Sequence, residues 1–268
     1  MLTDWFYSTE IWITLPLFVG GFVALSCLVV IGLRPVIRKL VDDPREWDHA
    51  LAHVIGTFGV FFGILLALVA VSVYENFADT RVSTLEEAAQ LTALYRGTTG
   101  LPQDAGAPMR ETIQEYVHTV VDQDFPSQRR GILPEGSAVL VDDLERLLHD
   151  YEPADLQQQA EFIQLLATFD DFIESRRARI DATSLELPPP FWLVIWVGAA
   201  VNAVLIGFIH VKKVGLHLLI AGLLALFVGL VIFVTADMDH PYQGSISVGP
   251  GAFERVLQQT IDRLGSEP

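Results

Sequence analysis

Four apolar runs divide the chain: Ile11 to Leu33, Leu51 to Tyr74, Phe191 to His210 and Val214 to Ala236. Each holds about 20 residues or more, the length a helix needs to cross a hydrocarbon core roughly 30 Å thick. None of the four contains Asp, Glu, Lys or Arg. The leader MLTDWFYSTE carries Asp4 and Glu10 and no basic residue, whereas a secretory signal wants a positive start, so the first run reads as a retained helix.

Between the second and third runs the pattern changes to amphipathic helices. No proline occurs from Leu51 to Pro102, so the second span is expected to run on past Tyr74 as one rod, stopping near Gly97 and Gly100. Ile113, Tyr116, Val117, Val120 and Val121 follow at helical spacing, then Leu140, Leu144, Leu147 and Leu148. Phe162, Leu165, Leu166, Phe169, Phe172 and Ile173 form one stripe with charges opposite. After the fourth run, Pro and Gly shape a loop with a short strand expected at Ser245 to Val248. Phe253, Val256, Leu257, Ile261 and Leu264 mark a closing amphipathic helix. The expected fold is an all-α membrane protein: four transmembrane helices plus an extramembrane helical bundle. Its domains are 1-75 with spans 11-33 and 51-74, an acidic helical domain 76-189, spans 191-210 and 214-236 within 190-237, and a tail 238-268.

Charge adds a topology. The only lysines, Lys39, Lys212 and Lys213, lie in the two short connectors between runs, the first of which also holds Arg34, Arg38 and Arg45. Short basic loops stay in the cytoplasm while long segments cross largely regardless of charge. The expectation is a multi-pass protein of the inner (plasma) membrane, with N-terminus, large domain and C-terminus outside the cytoplasm. From Asn76 to Pro189 there are 21 acidic residues against 9 arginines, a net −12 of the chain's −16. That balance excludes nucleic acid as a partner, since a phosphate backbone needs a basic face.

Catalytic signals are absent: no glycine-rich phosphate loop, no nucleophile elbow, and a single cysteine, Cys27, inside the first run. His49 and His53, four apart, read as interfacial polar residues before metal ligands. The lack of Asp, Glu, Lys and Arg at membrane depth disfavours coupled transport. Asn202, deepest of the strongly polar side chains, calls for a partner on another helix.

Three features point to ion conduction. The second run carries a face of small residues, Gly56, Gly59, Gly63, Ala67 and Ala70. It suits either a tight intramolecular helix contact or a helix round a pore axis. Phe58, Phe61 and Phe62 are candidates for a hydrophobic constriction. Glu75 and Asp79 after the second run, with Asp237 and Asp239 after the fourth, are either solvated helix exits or a cation-attracting mouth. Of these, Asp237 and Asp239 are the candidates for a hard cation such as calcium, and no other cofactor is indicated. Arg96, Arg177 and Arg179 are natural ion-pair partners for Glu86, Glu87 or those exit carboxylates.

The stretch Glu87 to Pro102, Arg177 and Arg179 before Leu187 and Pro188, Trp192, and Met238 to Phe253 resemble the bestrophin-like family of bacterial and plant membrane proteins. The resemblance implies four membrane helices and a relation to bestrophins, pentameric anion channels gated by calcium in animals. Two features depart from it: bestrophins keep the large domain in the cytoplasm, and their pore helix has a proline-containing neck that the second run lacks. The leading expectation is a homo-oligomeric ion channel, about a pentamer by resemblance, in a lipid bilayer. It would pass small inorganic ions and have an acidic mouth. The alternative is a non-conducting scaffold or sensor whose helical domain binds a partner or ligand.

Overall fold

The computed structural model describes residues 9–40 and 44–261; the leader's Asp4 and the tail's Leu264 lie outside them. Among the described residues every element is helical. The chain divides into two compact units, Met1–Glu75 with Glu186–Asp239, and Asn76–Leu185 with His240–Pro268.

The first unit is built from α1 (Ile11–Leu40), the first part of α2 (Pro44–Thr98), α7 (Pro189–Gly207) and α8 (Val214–Met238). All four are long and apolar enough to cross a membrane. They also expose large apolar side chains such as Leu17, Leu68, Leu223 and Phe227, as lipid-facing helices do. Inside the unit, glycine permits close packing. A Cβ at Gly198 of α7 would run into the ring of Phe62, and one at Gly229 of α8 would press on Phe22 of α1. α2 continues without interruption from Pro44 to Thr98, because after Pro44 at its first position no residue in that stretch lacks its N–H donor.

The second unit holds the rest of α2, α3 (Gln103–Thr119), α4 (Phe125–Gln128), α5 (Ala138–His149), α6 (Leu156–Asp181) and α9 (Gly251–Val256). α3 passes into α4 through a π-helical turn, Val120–Asp124. Asp155 caps α6 by accepting from the Gln158 N–H at 2.8 Å. Leu91, Leu94, Ile113, Val117, Val120, Phe172 and Phe253 are almost fully buried, each stabilising by about 1.5–3 kcal/mol. The segment from Ser245 to Val248 is not a strand; the Val248 N–H donates to the Pro241 carbonyl at 2.8 Å and closes a loop. Gly244, with φ 76°, supplies a left-handed residue within that loop.

Candidate functional site

Along α2 the candidate pore residues do not share a face. At about 100° per residue, Phe61 lies about 140–160° round the helix from Gly56, Gly59 and Gly63. A single axis cannot be lined by both sets. Among the described residues, Gly56, Gly59 and Gly63 have no atom within 4 Å of where a side chain would begin, so that stripe makes no tight contact with them. Phe62 faces a third direction, 8% exposed, with its ring over Gly198 and stacked on Phe58 at 5.5 Å between centroids. Phe62 is therefore a packing residue of the protomer, contrary to the expectation of a lumen position, and Phe58 supports it. Phe61 alone of the three stands clear, 70% exposed.

What Phe61 does share is a stripe with Leu68, Ser72, Glu75 and Asp79. These lie 7, 11, 14 and 18 residues on, all within about 40° of its direction on an ideal helix. All five are exposed. Glu75 falls about 21 Å along the helix axis from Phe61 at 1.5 Å per residue.

Asp237 and Asp239 do not belong with them. Asp239 is 7% exposed; its Oδ1 accepts the Leu187 N–H at 2.7 Å and its Oδ2 the Trp192 indole N–H at 3.1 Å. Asp237 is 2% exposed. Burial commits Asp239 to protein donors and keeps the Asp237 side chain off the solvent-exposed surface. No group of three or more His, Cys, Asp or Glu gathers anywhere among the described residues, His49 and His53 included.

The second unit holds a buried polar network centred on Arg179. Its Nε donates to Glu87 Oε2 at 2.5 Å and its Nη2 to Glu87 Oε1 at 3.2 Å, a bidentate pair with both side chains fully buried. Nη1 donates to Gln128 Oε1 at 3.0 Å, and Asp124 Oδ2 lies 3.4 Å from Nη2. The guanidinium lies over the edge-to-face pair of Phe125 and Phe253, 5.7 Å from each centroid, with the centroids 5.8 Å apart. Tyr116 donates to Glu87 at 2.5 Å, Ser137 to Asp124 at 2.6 Å, and Tyr242 to the Arg179 carbonyl at 2.9 Å. Desolvation alone would lower the Arg179 pKa, but the Glu87 charge outweighs it and holds the guanidinium well above its usual range. Burial pushes the Tyr116 phenol up, reinforced by Glu87, and pushes Tyr242 up to about 12.

Of the other two arginines singled out in the sequence, Arg96 and Arg177 are exposed and make no ion pair among the described residues. Tyr116, Asp124, Gln128, Ser137 and Tyr242 complete the network without having carried a sequence signal of charge pairing. Asn202, at membrane depth, is half-buried and finds no hydrogen-bond partner among the described residues of the protomer.

A family model for the bestrophin-like domain matches residues 20–253. Among solved structures, the chain resembles a crystallised membrane protein variant at TM-score 0.63 and 11% identity, covering 93% of this chain and 99% of that one. Two single-substitution variants of a bacterial bestrophin homologue from Klebsiella pneumoniae align at TM-scores of 0.62 and 0.64, with 11% and 12% identity. Those alignments cover 93% and 91% of this chain and 99% and 98% of the other. At such identities the likeness carries the fold. No curated protein matches the chain. The four spans, the helical unit and a family match over most of the sequence lead to one conclusion: the chain belongs to the bestrophin-like family, with the architecture of a channel-like membrane protein.

Proposed function

We propose that the protein is a homo-oligomeric channel for small inorganic ions, of about five subunits, whose axis is lined by the Phe61 face of α2. The observation that carries this reading is the alignment of Phe61, Leu68, Ser72, Glu75 and Asp79 on one exposed stripe of an unbroken helix. An apolar ring at Phe61 would gate by dewetting, and carboxylates further along the same stripe would raise the local concentration of cations. The glycine face, directed away from that axis, suits a neighbouring helix of the next subunit. Spans free of Asp, Glu, Lys and Arg fit a passive pore better than a proton-coupled carrier.

The basic connectors favour an orientation with the helical unit and both termini outside the cytoplasm. A single cysteine replacing Arg130, in a chain with Cys27 removed, would then react with an impermeant reagent on intact cells. Reaction only after the inner membrane is opened would reverse the topology. Conduction is tested by particle mass in detergent and by cation and anion flux in liposomes, with calcium among the triggers. A ring-sized particle with cation flux is expected. A monomer or dimer that passes no ion under any trigger would sink the proposal. It would favour the alternative, a non-conducting sensor, for which a groove of about 490 Å³ lined by Glu86, Gln90, Asp171 and Glu174 offers a place for a cationic ligand.

A further inference from the structure

The membrane unit contains a second feature that conduction does not use. Where α1 ends and the connector Phe208–Lys213 joins α7 to α8, a cavity of about 210 Å³ opens, lined by Arg34, Ile37, Ile209, His210, Lys212 and His217. No acidic residue lines it among the described residues. Arg34 Nη2 donates to the Val211 carbonyl at 3.3 Å and the Lys212 carbonyl at 3.0 Å, which fixes the guanidinium at the cavity wall. Its Nη1 is buried and finds no acceptor among the described residues. His217 is 3% exposed, and its Nε2 lies 2.9 Å from the Ile206 carbonyl. Because a carbonyl only accepts, Nε2 carries the proton, and the ring is held in one orientation at the cavity.

Depth and surroundings identify the ligand class. Trp47 donates its indole N–H to the Phe208 carbonyl at 3.1 Å and packs edge-on against the Phe208 ring, an arrangement typical of the level of lipid headgroups. Beside the cavity, Val36, Val214 and Leu216 are 44–50% exposed and continue the apolar surface of α1 and α8. A cationic cavity at headgroup depth that borders lipid-facing side chains suits an amphiphile with a negative head. Basic pockets between spans are a general device for binding anionic headgroups. We infer that this cavity, walled by Arg34, His210, Lys212 and His217, binds the phosphodiester of an anionic phospholipid whose acyl chains lie along α1 and α8.

The full-length protein in neutral detergent would be titrated with dioctanoyl phosphatidylglycerol, with dioctanoyl phosphatidylcholine and with inorganic phosphate, and bound ligand counted by native mass spectrometry. Saturable binding of phosphatidylglycerol is expected, at least about tenfold tighter than phosphatidylcholine. Removing one cation near the membrane surface should cost about fivefold. Lys212→Gln should therefore weaken phosphatidylglycerol about that much and leave phosphatidylcholine unchanged, and His210→Gln with Lys212→Gln should weaken it at least as much. Both residues are exposed, so these variants keep the fold even if Arg34→Gln, which loses the connector bonds, does not. Equal affinity for the two lipids, or phosphatidylglycerol binding that ignores both substitutions, overturns the inference. Displacement of the lipid by inorganic phosphate at equal concentration would reassign the cavity to free phosphate.

Discussion

Replacing Arg179 by Met tests whether the second unit is organised around one buried cation. The substitution keeps most of the side-chain volume packed against Phe125 and Phe253 but removes every guanidinium bond. It strands Glu87 at 0% exposure and Asp124 at 1% with no cation between them. Tyr116 and Ser137 still donate to those carboxylates, so the loss is the uncompensated charge rather than every hydrogen bond. Removing one partner of a buried pair costs about 3–5 kcal/mol. In a domain of this size that is a fall of roughly 6–20 °C in melting temperature, at about 2–4 °C per kcal/mol. Thermal unfolding of the detergent-solubilised protein, followed by circular dichroism at the helix band, reads it directly. Adding Glu87→Gln removes one stranded charge, so the double variant should be more stable than the sum of the two single losses. A loss below about 1 kcal/mol for Arg179→Met, or strict additivity of the two substitutions, would refute the assignment of Arg179 as the centre of the unit.

Three further outcomes follow from the geometry. Gly198→Leu should destabilise the membrane unit by about 1–3 kcal/mol because Phe62 occupies the space, and Phe62→Ala on top of it should recover part of that loss in the same melting assay. Asp239→Ala leaves the Leu187 and Trp192 N–H groups without their acceptor and should cost about 1–3 kcal/mol, whereas an exposed-carboxylate variant such as Glu75→Gln should leave the melting temperature within about 2 °C. With the Tyr242 phenol raised from 10.0 to about 12, its contribution is fully present below pH 10. It is lost as pH rises through about 12, because the unfolded chain ionises first; the loss is roughly 3 kcal/mol. Melting between pH 9 and pH 12 should show that decline in the wild type and a shallower one in Tyr242→Phe; equal slopes would contradict it.

The membrane spans are legible in sequence because apolar length alone specifies them, and the α2 rod follows from the missing prolines. The Arg179 position is legible too, once phase is followed. It stands 7 residues after Phe172 and 14 after Leu165, within about 40° of their buried stripe, whereas Arg177 falls about 140° away. Asp124 is harder to place, because the π turn at Val120–Asp124 shifts the register that the preceding helix sets. The fates of Phe62, Asp237 and Asp239 depend on long-range packing. Phe62 is buried by a glycine on α7, and Asp239 is claimed by Leu187 and Trp192; no local pattern announces either contact. Helix phase also separates Phe61 from the glycine stripe, a distinction that composition blurs but the 3.6-residue repeat makes plain.

The central claim, that the Phe61 face of α2 lines the conducting axis, is tested most directly by single cysteines in a Cys27→Ser chain reconstituted in liposomes. Methanethiosulfonate reagents would be applied to F61C, L68C and S72C on one face and to G59C and G63C on the other, with ion flux recorded before and after. Block at positions 61, 68 and 72, with flux unchanged at 59 and 63, is the predicted result. The reverse pattern would put the glycine stripe on the axis and contradict the account, and a protein that passes no ion in any of these chains would remove its foundation.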